Sequence, residues 1–228
     1  MLRLIFCLSV LLSTHAFATA QAPDYLLFEG QRYRLHTNPL EVLFNQHKDL
    51  RPASDFVSSA NVRGYTATFA INDNTLVVSD ITVSKITVSK HDPDKKHSSF
   101  QESVMLNVLP NKSDRQLDWF SGVLVVPLGK HIEYVHQNYA SQYEGYLIFL
   151  IRNGIMQDFA EMSLSEYRRF KTRQFERFKA TSAYKPLYEE VSQHLDYKSG
   201  FEIESYIFLM DIGRFTQTIQ IPLQSAAK

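Results

Sequence analysis

The densest group of titratable side chains in the sequence is Lys130-His131-Ile132-Glu133-Tyr134-Val135-His136. On an extended strand successive side chains alternate faces, so His131 and Glu133 would share one face while Tyr134 and His136 share the other. One face could recruit zinc or copper, but a strand supplies at most two ligands and the rest must come from elsewhere. Solvated or hydrogen-bonded histidines explain the same pattern, so no metal and no cofactor is assigned. An enzymatic alternative is a hydrolase or metal-dependent enzyme using His131, Glu133 and His136 with Arg63 and Tyr65; it requires these groups to converge in one concave site. Nucleophile motifs do not support it, because the sequence contains neither G-x-S-x-G nor H-E-x-x-H. Ser182-Ala183-Tyr184-Lys185 fits S-x-x-K, yet Lys198-Ser199-Gly200 follows too closely to leave room for the sheet that such acyl-transfer sites need. No catalytic residue is assigned.

Two other groups suit binding better than bond-breaking. The segment 138–144 carries Tyr139 and Tyr143, rings with hydrogen-bonding tips that suit a binding rim. With Arg63, Tyr65, Trp119 and His136 they form the candidate rim; the ordinary alternative is that these rings roof the edge of a core. Arg169, Arg173 and Arg177 recur every fourth residue in a segment whose apolar residues keep helical spacing. Their face could meet an acidic partner protein or anionic lipid, and a solvated helix face is the commoner meaning of such a run. Asn111-Lys112-Ser113 is a glycosylation sequon, meaningful only in a host that glycosylates exported proteins.

The elements that must position these residues read as hairpins followed by helices. The apolar run 25–28 and the alternating polar and apolar residues 32–36 flank Glu29-Gly30-Gln31 and predict a hairpin. Asn38 as N-cap and Pro39 at the first helical position predict a short helix through Leu40, Leu43 and Phe44, ending before Arg51-Pro52. A second hairpin is predicted over 62–71 and 75–83, turning at Asn72-Asp73-Asn74. The pentapeptide Ile81-Thr82-Val83-Ser84-Lys85 is repeated as Ile86-Thr87-Val88-Ser89-Lys90. An odd repeat swaps the apolar face of a strand, which predicts a bulge or an overhanging end there. Residues 91–99 read as an exposed loop, and 100–109 fit a short helix or a strand equally. Strands are predicted over 121–128, 131–137 and 145–151, the last turning at Asn153-Gly154 into 155–161. Ser163-Leu164-Ser165-Glu166 is a capping box that opens a helix with Tyr167, Phe170, Phe175 and Phe178 on one side. A second helix is predicted over 186–195 and closing strands over 201–210 and 215–221. The class is α+β: mainly an antiparallel sheet built from hairpins, with a short N-terminal helix and two amphipathic helices late in the chain.

Residues 1–20 read as a cleavable secretory signal, leaving residues 21–228 as a single globular domain. Arg3 supplies the positive start, 4–12 the apolar stretch and Ala18-Thr19-Ala20 the small residues before the cut, with Gln21 as the new N-terminus. The apolar run is about nine residues where a membrane span needs about twenty, so no transmembrane segment is expected in the mature chain. Cys7, the sole cysteine, lies inside that stretch, away from the position of a lipid acceptor; the mature domain then has no thiol and no disulfide. Lys and Arg number 24 against 24 Asp and Glu, and losing Arg3 leaves a slight acidic excess. That balance excludes a general nucleic-acid binder, whose affinity comes from a large basic surplus.

Several segments together resemble a group of uncharacterised bacterial proteins: Thr37-Asn38-Pro39-Leu40-Glu41, the stretch from Ser58 through Arg63-Gly64-Tyr65 to Phe69, Asp118-Trp119-Phe120-Ser121-Gly122, Gly129-Lys130, Tyr134-Val135-His136 and Tyr143-Glu144. The likeness covers most of the chain from Tyr25 to Phe178. It departs from the pattern at Val62, where an aromatic often precedes Arg-Gly-Tyr, and at the doubled pentapeptide. The resemblance implies a bacterial source, hence a periplasmic address in a Gram-negative host and an extracellular one otherwise. It implies no activity, ligand or catalytic residue. The expectation is therefore an exported binding or protein-interaction domain, of which an immunity-type protein that blocks a toxin is one form.

Overall fold

Three two-residue turns organise the sheet. Glu29-Gly30, Asp73-Asn74 and Asn153-Gly154 all hold both residues at positive φ, between 47° and 75°. That geometry matches the twist of paired strands and favours Gly, Asn and Asp, the residues found in five of the six positions. The computed structural model describes residues 20–87, 98–135, 139–194 and 199–210. The signal segment, most of the 91–99 loop, His136 and the 215–221 strand expectation lie outside them.

The first turn joins β1 (Asp24–Phe28) to β2 (Gln31–Leu35). The chain then forms α1 (Leu40–Gln46) and crosses to β3 (Tyr65–Asn72), which pairs parallel with β1. Parallel neighbours need such a crossover. The second turn leads into β4 (Thr75–Thr87), and β5 (Ser98–Ser103) pairs along the outer half of β4. After α2 (Met105–Val108) come β6 (Gly122–Glu133), β7 (Gln142–Arg152) and, past the third turn, β8 (Ile155–Ser163). Among the described residues three helices follow: α3 (Leu164–Lys179), α4 (Tyr184–His194) and α5 (Gly200–Met210). The strand order is β2-β1-β3-β4-β8-β7-β6, with β5 beside β4. The fold is α+β with a mainly antiparallel, mixed sheet.

This sheet consists of two leaves, β2-β1-β3-β4-β5 and β6-β7-β8, whose strands hydrogen-bond to each other at two narrow places. At one, the tips of two hairpins lock: Thr75 pairs with Ile155, and the Leu76 and Met156 amides donate to Gly154 and Asn74 carbonyls at 2.7 Å each. At the other, a seam, the His36 amide donates to the Val125 carbonyl at 2.7 Å and the Val125 amide donates to Thr37 Oγ1 at 2.8 Å. Between the leaves lies one core, with Leu26, Phe69, Val78, Leu124, Val126 and Phe149 facing Phe44 of α1 and Met105 of α2. A second core forms where the other face of β6 and β7, through Val123, Val125, Ile148 and Leu150, meets Phe170, Phe175 and Phe178 of α3 and Ile203 and Ile207 of α5. Burial on both faces explains why 123–126 and 146–151 are unbroken apolar runs and do not alternate.

Several element readings are corrected. Residues 201–210 are helix: Ile203 and Ile207 bury one stripe, while Phe201 is 81% exposed. A short apolar run fits strand and helix alike, and packing on β6 and β7 decides it. The strands expected at 121–128 and 131–137 are one strand as far as Glu133, bent where Gly129 takes φ of 72°. A Cβ at Gly129 would run into the Glu144 carboxylate, which accepts from the Lys130 amide at 2.7 Å. Residues 100–109 are divided between β5 and α2. Asn38 makes no cap; Pro39 stands at that place, and the Asn38 side chain turns elsewhere. The repeat region is an overhang: β4 runs past the end of β3 and pairs with β5, while the bulge lies upstream, opposite Thr68/Phe69. That bulge lets Leu76 and Val78, then Ile81 and Val83, all point inward, and leaves Ile86 of the second copy exposed.

Candidate functional site

Asp24 occupies the inward series of β1 with Leu26 and Phe28, so alternation delivers a carboxylate to the end of the core. It is 0% exposed. Three donors converge on it: the Ala67 amide at 2.8 Å on Oδ1, and Asn38 Nδ2 at 2.9 Å and Arg63 Nη1 at 2.8 Å on Oδ2. Arg63 reaches this position from the turn before β3, where Gly64 takes φ of 79°. Its side chain is 8% exposed, and its Nη2 donates to the Ala22 carbonyl at 2.8 Å. Burial raises the Asp24 carboxyl above its usual range against the pull of Arg63 and the two other donors. Burial also works against the Arg63 charge, but Asp24 beside it more than restores it, and the guanidinium stays protonated.

A second pair adjoins the first. Tyr65, 0% exposed on the inward series of β3, donates to Glu41 Oε1 at 2.8 Å. Arg51 grips the same carboxylate with both terminal nitrogens, at 3.0 and 2.9 Å. Burial opposes the Glu41 charge, yet the bonds from Arg51 and Tyr65 hold the carboxyl below its ordinary range. Burial, with the Asp24 and Glu41 charges, drives Tyr65 well above the usual phenol range. Tyr139 closes the group: it donates to the Ala22 carbonyl at 3.2 Å and accepts from Asn38 at 3.1 Å, and burial pushes it up to about 12. Both tyrosines are therefore held as neutral donors.

His36 lies against Tyr139, the rings stacked at 4.7 Å and 16°, with Tyr143 edge-on at 5.5 Å. Burial first, and then the Arg34 charge, push the imidazole down to about 3. Tyr143 also meets the His131 ring, at 5.0 Å, on β6. His131 and Glu133 are exposed and do not join the buried group; the Glu133 carboxylate accepts from Gln142 at 2.8 Å. Among the described residues no cluster of three or more His, Cys, Asp or Glu side chains could hold a metal ion.

Of the candidate rim, then, the structure gathers Arg63, Tyr65 and Tyr139 in one group and links Tyr143 to it through His36. Tyr65 lies wholly beneath the surface, which corrects its place on a rim. Trp119 is 36% exposed and belongs to the hairpin tips, where the Leu117 amide donates to Leu76 O and the Gly154 amide to Phe120 O, at the opposite end of β3. His136 falls outside the described residues. Asp24, Glu41 and His36 are not among the candidates that the sequence offers; the one local sign is the Asp24 carboxylate two residues before Leu26, in the position that alternation reserves for the core.

The arginine face is placed by α3. Ser163 accepts from the Glu166 amide at 3.4 Å while Glu166 accepts from the Ser163 amide at 2.8 Å, so the capping box fixes where the helix starts. Phe170, Phe175 and Phe178 then bury one stripe, and Tyr167 stacks on Tyr146 at 3.9 Å. Arg169, Arg173 and Arg177 are exposed on the opposite side, and among the described residues none lies within ion-pairing distance of a carboxylate. The two glutamates of the helix are occupied: Glu166 in the cap, Glu176 with Lys179 at 2.9 Å. Arg168 donates to Gln142. No helix among the described residues is long and apolar enough to cross a membrane. Compared with known proteins, the chain matches no family model, no curated sequence and no solved structure.

Proposed function

We propose that this protein is an exported binding domain that docks an acidic protein partner through the arginine face of α3. The observation that carries this reading is the state of charge on that face: three exposed arginines one turn apart, none of them in an ion pair among the described residues, with Glu166 drawn mainly into the cap and only weakly toward Arg169, and Glu176 paired with Lys179. Like charges in a row repel one another and gain from an external acidic surface. Because the apolar stripe of α3 is spent on the second core, the helix has no face left to insert into a bilayer, which favours a protein over a lipid surface. The export address rests on the signal reading of residues 1–20, and the periplasm on the bacterial resemblance; a toxin-blocking role is one form the partner could take.

The test is capture from the exported fraction with tagged protein, followed by titration against the recovered partner. Binding is expected to saturate, to weaken steeply with salt, and to be lost in the Arg169→Glu/Arg173→Glu/Arg177→Glu variant. The variant's thermal midpoint is expected to shift only slightly, since exposed substitutions cost within about 0.5 kcal/mol each. A partner that binds the variant equally well, or no saturable partner under any growth condition, would overturn the reading.

A further inference from the structure

We infer that His36 is an acid-sensitive latch on the seam between the two leaves: protonating its imidazole frees residues 36–37 from β6 and breaks the ring contacts with Tyr139 and Tyr143. The seam and the titratable ring belong to one residue. The His36 amide donates to Val125 O, the next side chain accepts from the Val125 amide, and the imidazole of the same His36 is wedged against two tyrosines. The residue is 8% exposed, so a charge arising there is largely desolvated.

The surroundings offer the charge no anion. Among the described residues, the charge that acts on the ring is that of Arg34 on β2; Asp24, Glu41 and Arg63 act on Tyr139, which stacks on it, and Tyr143 carries His131 of β6 on its other side. On β6 and β7 the Glu133 carboxylate is taken by Gln142 and that of Glu144 by the Lys130 amide. Arg34 and Arg63 are cations. The Asp24 carboxylate is taken by Ala67, Asn38 and Arg63, and that of Glu41 by Arg51 and Tyr65. Tyr139 spends its proton on the Ala22 carbonyl. The closed seam therefore refuses a proton that an open seam accepts, consistent with the imidazole's displacement from its ordinary 6.5 to about 3.

The sign follows from linkage. Between those two values the open form binds one proton more than the closed form, so closure weakens as pH falls. Opening is favoured about 25-fold more at pH 5 than at pH 7, on an open-state imidazole that titrates normally.

Amide exchange followed by NMR on the full-length protein, corrected for intrinsic rates, tests this. The His36 and Val125 amides are expected to lose about 25-fold of their protection between pH 7 and pH 5, and to do so by an opening that low urea does not accelerate. The β3–β4 ladder is expected to stay better protected and to exchange by a urea-dependent route. In His36→Gln, and in His36→Phe as a second variant that keeps a flat ring against Tyr139, the pH effect at Val125 should vanish. Seam amides that exchange with the same protection and the same urea dependence as the ladder would overturn the latch, since only global unfolding would then expose His36. So would a pH effect that survives in either folded variant. If neither variant folds, the wild-type comparison of seam and ladder alone decides.

Discussion

Asp24 and Arg63 are oppositely charged side chains placed where strand alternation puts hydrocarbon, and their value depends on both being present. Removing one leaves the other buried without its counter-charge, which is where such pairs become expensive. Asp24→Ala is expected to cost about 3–5 kcal/mol in urea unfolding, and Arg63→Met a comparable amount. The double variant Asp24→Leu/Arg63→Met should cost clearly less than the sum, and a double-mutant cycle with no coupling would contradict the arrangement. Arg63, Tyr65 and Tyr139 could be picked from the sequence by type alone, because arginine and tyrosine are amphipathic wherever they fall. Asp24 could not: its partners Asn38 and Arg63 lie 14 and 39 positions away, and nothing local announces that they will converge. His36 was hidden for a related reason, since its environment is made by Tyr139 and Tyr143 from the far half of the chain.

Among the elements, legibility tracked how much of the geometry is local. The hairpin turns were readable because a positive φ at two successive residues selects Gly, Asn and Asp directly, and the cap of α3 because Ser163 and Glu166 complete each other within one turn. Residues 201–210 and the joint at Gly129 were not, because both are decided by neighbours: the first by the sheet it covers, the second by Glu144 across the strand pair. Gly154 carries this to an extreme. It holds φ of 71°, and a Cβ there would come within 2.6 Å of the Leu117 carbonyl oxygen. Gly154→Ala should therefore lose at least the roughly 1–3 kcal/mol of a strained left-handed residue, with further loss from displacing the Leu117 backbone. Trp119, the sole tryptophan, sits beside this joint and reports on it: the variant should change its emission in the folded state as well as lower the urea midpoint.

For the molecule as a whole, the arginine face and the buried charged group belong to different leaves' surroundings, so charge reversal on α3 and substitution at Asp24 should be additive in stability. The division into two leaves also bears on the order in which the chain acquires its structure. β6, β7, β8 and α3 follow one another in sequence and pack on one another, so their contacts close short loops. The seam joins residues 88 positions apart, and the parallel β1–β3 pair waits on a long crossover. Loop closure of that span costs entropy before any contact repays it, which places the seam late on the folding path. In stopped-flow chevrons, Ile148→Val and Phe178→Leu should slow refolding, whereas Thr37→Val, which removes the acceptor for the Val125 amide, should leave refolding unchanged and speed unfolding. A refolding rate that falls with Thr37→Val would mean that the leaves meet before the transition state. With the seam formed last, the lifetime of the native state, and not the speed of reaching it, is the property that two hydrogen bonds at Val125 control.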